Sequence, residues 1–186
     1  MSQQVGAAVT ALVLVGVACS GGGAASPASS IRSGPAIIAL KAHGIAMLPT
    51  DRFALPTFDY PRFKALLGQL AASGVPVVVN IWASWCGPCR VESPNLDRAA
   101  TQYGTQVQFL GVDILDQRGA ARDFIQEEGY PYPSVFDSTG DIRDGLGFIG
   151  QPDTIFFDGT GRRVDVWSGA IGFSELVARI KKILPA

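Results

Sequence analysis

The sequence predicts an α/β domain, a central mixed sheet flanked by helices, and three observations carry that reading. A β-branched run at 75–82 (VPVVVNIW) passes directly into a polar segment with helical periodicity, the pattern of a buried strand feeding a helix. A second apolar run at 107–114 and a second helical segment at 118–128 repeat the alternation, as a parallel β-α-β unit requires. Two further strands at 153–158 and 162–168, joined by Asp158-Gly159-Thr160-Gly161 and followed by an amphipathic helix, close the chain as a β-β-α unit. The 186 residues suffice for one domain with a sizeable core plus a tail.

The elements follow in order. Residues 5–18 (VGAAVTALVLVGVA) form an uncharged apolar run, short for a membrane span, that ends directly before Cys19 and Ser20-Gly21-Gly22-Gly23. Residues 1–18 therefore read as a signal peptide, and the small residues before Cys19 resemble a bacterial lipoprotein signal in which Cys19 is lipidated. An ordinary cleaved signal and an uncleaved anchor are the alternatives, and all three place the domain outside the cytoplasmic membrane. Residues 19–50 read as a flexible Ser/Gly/Ala/Pro-rich tether. Its more apolar part, 35–48, is either an early strand or irregular.

The domain proper spans 51–186. Pro61 starts a helix (PRFKALLGQLAAS) with Phe63, Leu66, Leu67 and Leu70 on one face. After the strand at 75–82, a helix from Cys86 to Tyr103 carries Val91, Leu96, Ala99, Ala100 and Tyr103 inward, is kinked by Pro94, and stops at Gly104. The helix at 118–128 is stopped by Gly129, a short strand occupies 134–137, and a short helix runs from the turn at 138–141 to about Phe148. Ser174 is expected to N-cap the last helix, with Leu176, Val177, Ile180 and Leu184 inward.

Chemistry concentrates at Trp85-Cys86-Gly87-Pro88-Cys89. A CxxC at a strand-to-helix junction puts Cys86 at a helix N-terminus, where free N–H groups and the macrodipole favour a thiolate. Cys86 is then the nucleophile. Cys89, one turn further in, can attack a mixed disulfide on Cys86 and close an intramolecular disulfide. Gly87 and Pro88 start the helix, and Trp85 offers partner chains a rigid contact surface at the rim. If Cys19 is lipidated, the CxxC holds the remaining two of the three cysteines, which suits an oxidising compartment.

The string WASWCGPCRVESP resembles the active-site segment of the thioredoxin superfamily, in particular its extracytoplasmic TlpA/ResA/DsbE-like branch. Gly150-Gln151-Pro152-Asp153-Thr154 resembles the family's cis-proline loop, which implies that Pro152 faces the dithiol in cis and, with Gln151, shapes a substrate groove. Residues 113–140 resemble the helix and strand that this branch inserts in the thioredoxin fold. Thioredoxins carry a buried Asp six residues before the first cysteine; here that place is Asn80, which cannot titrate. Glu92 matches the acidic residue that the branch places under its active site, and a partly buried carboxyl there can take the Cys89 proton.

The resemblance implies a thiol:disulfide oxidoreductase, lipid-anchored on the extracytoplasmic face of a bacterial membrane, or periplasmic or secreted. Its only redox group is the Cys86/Cys89 couple, with no metal or other cofactor. It implies electrons arriving from a CcdA/DsbD-like membrane protein and leaving to disulfides of exported proteins such as apocytochrome c, with a disulfide-forming oxidase as the alternative direction. A non-catalytic binding or metal-handling module is the alternative of another class. Zinc wants four ligands, and beyond the CxxC the chain offers Cys19 and His43. A net charge of −1, with 15 scattered Lys and Arg, excludes a nucleic-acid footprint.

Overall fold

The computed structural model describes residues 45–185. The signal segment 1–18, Cys19, His43 and all of the tether before residue 45 lie outside the described residues.

Five strands form one mixed sheet in the order β3-β2-β1-β4-β5: β1 (Val77–Trp82), β2 (Gln108–Ile114), β3 (Ser134–Asp137), β4 (Asp153–Phe157) and β5 (Arg163–Ser168). The first three are parallel, and β4 runs antiparallel to both β1 and β5. This is the β-α-β plus β-β-α arrangement that the sequence predicts, with α3 (Arg118–Glu128) and β3 added at the β2 edge. The outer side of β3 is not left bare. Phe58 N donates to Phe136 O at 3.0 Å and Phe136 N donates to Pro56 O at 2.9 Å, which covers an edge that would otherwise invite pairing.

The alternation of each strand sorts its side chains into two cores. Val78, Trp82, Phe109 and Phe156 face a layer made by α2 (Gly87–Tyr103), α3 and α5 (Phe173–Ile183). Val77, Val79, Ile81, Leu110, Val112 and Ile114 face α1 (Tyr60–Ala72) and α4 (Asp141–Gly145). Every residue of β1 and β2 is buried, which explains why both read as continuous apolar runs. Gly111 interrupts β2 because a Cβ there would run into Ser134 Oγ and come within 2.7 Å of Trp82 Nε1.

Helix ends follow local chemistry. The Asp59 carboxylate accepts from Arg62 N at 2.8 Å, so α1 begins at Tyr60, one residue before Pro61. Phe63, Leu66 and Leu70 are buried, while Leu67 is half-buried. Gly129, at φ +76°, ends α3 in the left-handed conformation that glycine tolerates. The short helix α4 stops at Gly145, before the expected Phe148, where Gly147 turns the chain at φ +88°.

Two expectations are corrected. Val91 is 70% exposed rather than inward, because it lies five residues, about 140° of helix rotation, from Leu96. The buried stripe instead runs through Cys89, Glu92, Ser93, Leu96, Ala99, Ala100 and Tyr103. Pro94 lies inside α2, which runs on to Tyr103. Proline leaves the Arg90 carbonyl without its usual N–H partner, and the Ser93 hydroxyl, 2.9 Å from that oxygen, fills the place. Ser174 does not cap α5. Extended backbone at Gly172 makes that residue the N-cap, and the Ser174 hydroxyl donates to Glu175 Oε2 at 2.8 Å.

Candidate active site

The chain leaves β1 at Trp82, turns through Ala83-Ser84-Trp85 and enters α2 with Cys86 as N-cap. Cys89 N–H, the third of the helix, points back at Cys86 Sγ at 3.2 Å. A free helical N–H is thus spent on sulfur, an arrangement that stabilises negative charge there. The two sulfurs form a disulfide of 2.01 Å, with Cα atoms 5.3 Å apart. Cys86 is 4% exposed and Cys89 is wholly buried, so an incoming partner meets Cys86. Gly87 and Pro88 occupy the first two helical positions, both exposed.

Glu92 lies one turn after Cys89 on the same buried stripe. Its Oε1 accepts from Asn80 Nδ2 at 2.8 Å and its Oε2 accepts from Ile171 N at 3.0 Å. Burial raises the carboxyl to about 7, against the two hydrogen bonds that lower it, with a smaller push from the charge of Asp153. A group poised there exchanges a proton readily near neutral pH. Ile171 is held at both ends, since its carbonyl accepts from Asn95 Nδ2 at 3.0 Å.

Register places the proline loop at the same end of the sheet. Asp153 is paired with Ile81, so Pro152 stands beside the end of β1 from which the dithiol hangs. The Gln151–Pro152 peptide is cis. Together with Gly147, Phe148, Ile149 and Ser168, these two residues line an open groove of about 300 Å³. Ile149 is almost fully exposed. Trp85, 58% exposed, is fixed on the other side by its Nε1, which donates to Leu115 O at 3.1 Å.

Three features of the site escape a reading of the sequence. Asp116 accepts from both Ser84 N (2.5 Å) and Ser84 Oγ (2.9 Å), which ties the turn before Cys86 to the end of β2. Asp113 is buried among apolar side chains beside Trp82, its partner across the strands. Tyr130 and Tyr132, stacked at 4.9 Å, pack with Trp82 and Phe124 under α2, and burial raises both phenols well above their ordinary range. Asp113 shows in the sequence as a charge inside the apolar run 107–114, whereas Asp116, Tyr130 and Tyr132 lie outside such runs and carry no comparable signal. Among the described residues no group of three or more His, Cys, Asp or Glu is placed to hold a metal ion, and no helix is long and apolar enough to cross a membrane.

Comparison with known proteins agrees with this geometry. Residues 53–163 match the AhpC/TSA family. The chain is 33% identical over 114 residues to the thiol:disulfide interchange protein DsbE of Escherichia coli K12, covering 61% of this chain and 60% of that protein. It is 35% identical over 133 residues to a DsbE homolog of Paracoccus denitrificans, covering 64% of this chain and 72% of that one. A secreted Mycobacterium tuberculosis disulfide oxidoreductase homologous to E. coli DsbE superposes with a TM-score of 0.54 at 26% identity, over 59% of this chain and 82% of its own. The chain thus spans about 60% of the length of the E. coli relative. With a dithiol at a helix N-terminus, a cis-proline beside it and a mixed five-stranded sheet behind it, the chain belongs to the AhpC/TSA family, on its thioredoxin-like TlpA/DsbE branch.

Proposed function

We propose that the protein is an extracytoplasmic thiol:disulfide oxidoreductase that reduces disulfides of exported proteins. The observation that carries the reading is the stacking of parts along α2: Cys86 sulfur at the helix N-terminus, Cys89 buried behind it, and Glu92 with a carboxyl near 7 one turn below.

The reduced enzyme starts with Cys86 as thiolate and Cys89 as thiol. Cys86 Sγ attacks one sulfur of a substrate disulfide, forming a mixed disulfide and releasing the other substrate sulfur as a thiolate that takes a proton from water. Cys89 then gives its proton to ionised Glu92 and attacks Cys86 Sγ. The second substrate sulfur leaves as a thiolate, and the enzyme is left with the Cys86–Cys89 disulfide. Two electrons have passed to the substrate. Pro152 and Gln151 shape the groove, which suits an extended substrate segment bound by backbone contacts, and Trp85 supplies the opposite rim.

The lipid anchor at Cys19, the electron donor of CcdA/DsbD type and apocytochrome c as substrate belong to the same proposal. They rest on the resemblance of residues 1–19 to a lipoprotein signal and of the active-site segment to the TlpA/ResA/DsbE-like branch, while the names of the DsbE relatives support thiol:disulfide interchange itself. The deciding experiment is the midpoint potential of the Cys86/Cys89 couple in thiol buffers, read by tryptophan fluorescence, together with insulin reduction. A potential below about −230 mV and turnover lost in Cys86→Ala are expected; one above about −180 mV makes the protein an oxidase. Target binding with no turnover makes it a binding module.

A further inference from the structure

Cys86 is the last residue of a tight turn. Its N–H donates to Ala83 O at 3.1 Å, so Ser84 and Trp85 are the central residues of a β-turn that follows directly on β1. Where that turn sits decides where the Cys86 sulfur sits. The polar groups of Ser84 are all engaged from outside the turn. Its N–H donates to Asp116 Oδ2 at 2.5 Å and its hydroxyl donates to Asp116 Oδ1 at 2.9 Å, while its carbonyl accepts from Arg90 Nη2 at 3.4 Å. The Trp85 indole N–H donates to Leu115 O at 3.1 Å.

We propose that Asp116 and Arg90 close on Ser84 as a two-sided clamp, and that this clamp positions Cys86 for attack on the substrate disulfide. The clamp deepens the exchange chemistry proposed above and rests on it for its kinetic consequence. Both are positioning residues, since each acts on Cys86 through the Ser84-Trp85 turn. Asp116 is the firmer jaw: two donors of one residue on one carboxylate fix direction as well as distance, and charge-assisted bonds are about twice as strong as neutral ones. Arg90, at the long end of hydrogen-bond distance, is the weaker.

Both jaws are held by the segment that joins β2 to β3. Asp116 Oδ1 also accepts from Gln117 N at 2.7 Å, at the start of α3. Leu115, just before it, has φ +50°, in the left-handed region that is costly for a residue with a side chain. In that conformation its carbonyl meets the indole while its N–H donates to Asp137 O at 3.0 Å, at the end of β3. From the far end of α3, Glu127 Oε2 and Glu128 Oε1 accept from Arg90 Nη1 at 3.1 and 2.8 Å, and the guanidinium lies 4.8 Å from the centre of the Phe124 ring. Half-exposed ion pairs of this kind add little stability. Here they aim the guanidinium fork, leaving Nη2 on Ser84 O. The α3 segment thus bears on the turn from both of its ends.

The test has two arms. In the oxidised protein, amide hydrogen exchange followed by NMR reads the clamp without any turnover. The Ser84 N–H is expected to be protected in the wild type and to exchange about tenfold faster in Asp116→Ala, the β1 amides staying as they were. A Ser84 amide that exchanges equally fast in both proteins overturns the clamp. In the second arm, Asp116→Ala should lower kcat for insulin reduction about tenfold with KM little changed, misplacement of a reacting group being costly. Asp116→Asn, which keeps one accepting oxygen, should recover part of both effects, and Arg90→Ala should give a smaller loss in the same direction. Asp116→Asn is read in both arms, so damage to the fold by the alanine does not decide the outcome. A Ser84 amide freed in the Asp116 variants with kcat unchanged overturns the positioning role. A wild type without turnover whose Ser84 amide is protected through Asp116 overturns the proposed function and leaves the clamp standing.

Discussion

Glu92 and Asn80 meet at 2.8 Å inside the protein, the amide donating to the carboxylate and neither residue open to water. The bond holds the carboxyl lower than burial alone would leave it. Asn80→Ala therefore moves the Glu92 carboxyl above 7. The expected result is an alkaline shift in the pH profile of mixed-disulfide resolution, measured by quenched-flow with a chromogenic disulfide. A profile unchanged from wild type would separate Glu92 from the proton transfer.

Glu92→Gln keeps the size of the side chain and one accepting oxygen but cannot take a proton. Removing a positioned general base costs on the order of 10² in rate. Insulin reduction by Glu92→Gln at pH 7.5 is expected to fall by about that factor in kcat, with KM little changed. A loss confined to KM would place Glu92 in binding instead.

The same carboxyl makes stability depend on pH. Glu92 stands at about 7 in the folded protein against 4.5 for an ordinary glutamate, so the folded state binds the proton more tightly than the unfolded chain. Its contribution is fully present below pH 4.5 and is lost as pH rises to about 7, a total of about 3 kcal/mol. Asp113, raised to about 9, adds a fall of the same sign that extends further. Urea unfolding of the oxidised protein from pH 4 to 9 should show the stability of wild type falling relative to that of Glu92→Gln by that amount between pH 4.5 and 7 and levelling above.

Phe124 lies against Trp82 at 4.9 Å between centroids and edge-on to Tyr130 at 5.4 Å. It joins α3 to the aromatic cluster beneath the dithiol. Phe124→Ala should cost about 3–5 kcal/mol, and a denaturant midpoint that barely moves would show that the cluster collapses around the gap.

How far the sequence reaches is visible in particular residues. The run at 75–82 specifies a strand buried on both faces, and the periodicity after it specifies a helix, because both patterns repeat over a few residues. Gly129 and Pro152 are likewise readable, one as a helix stop and the other by resemblance as the cis-proline. The element order, and with it the dithiol at a strand-to-helix junction, follows from such short-range signals. Local patterns mislead where a polar residue takes an inward place: Glu92, not Val91, joins the buried stripe of α2. Ser174 has the right chemistry for a cap, yet the backbone at Gly172 sets the helix start.

The sequence alone determined the α/β order, the CxxC at the head of a helix, and an acidic residue, Glu92, one turn after the second cysteine. Tertiary structure alone decided what surrounds those groups. Ile171 reaches Glu92 across 79 residues of chain and Asp116 reaches Ser84 across 32, bonds set by sheet register and helix packing that no periodicity encodes. Proton affinities inside the protein depend on exclusion of water and on neighbours brought from distant segments, so the state of Glu92 and Asp113 emerges only when the sheet is assembled.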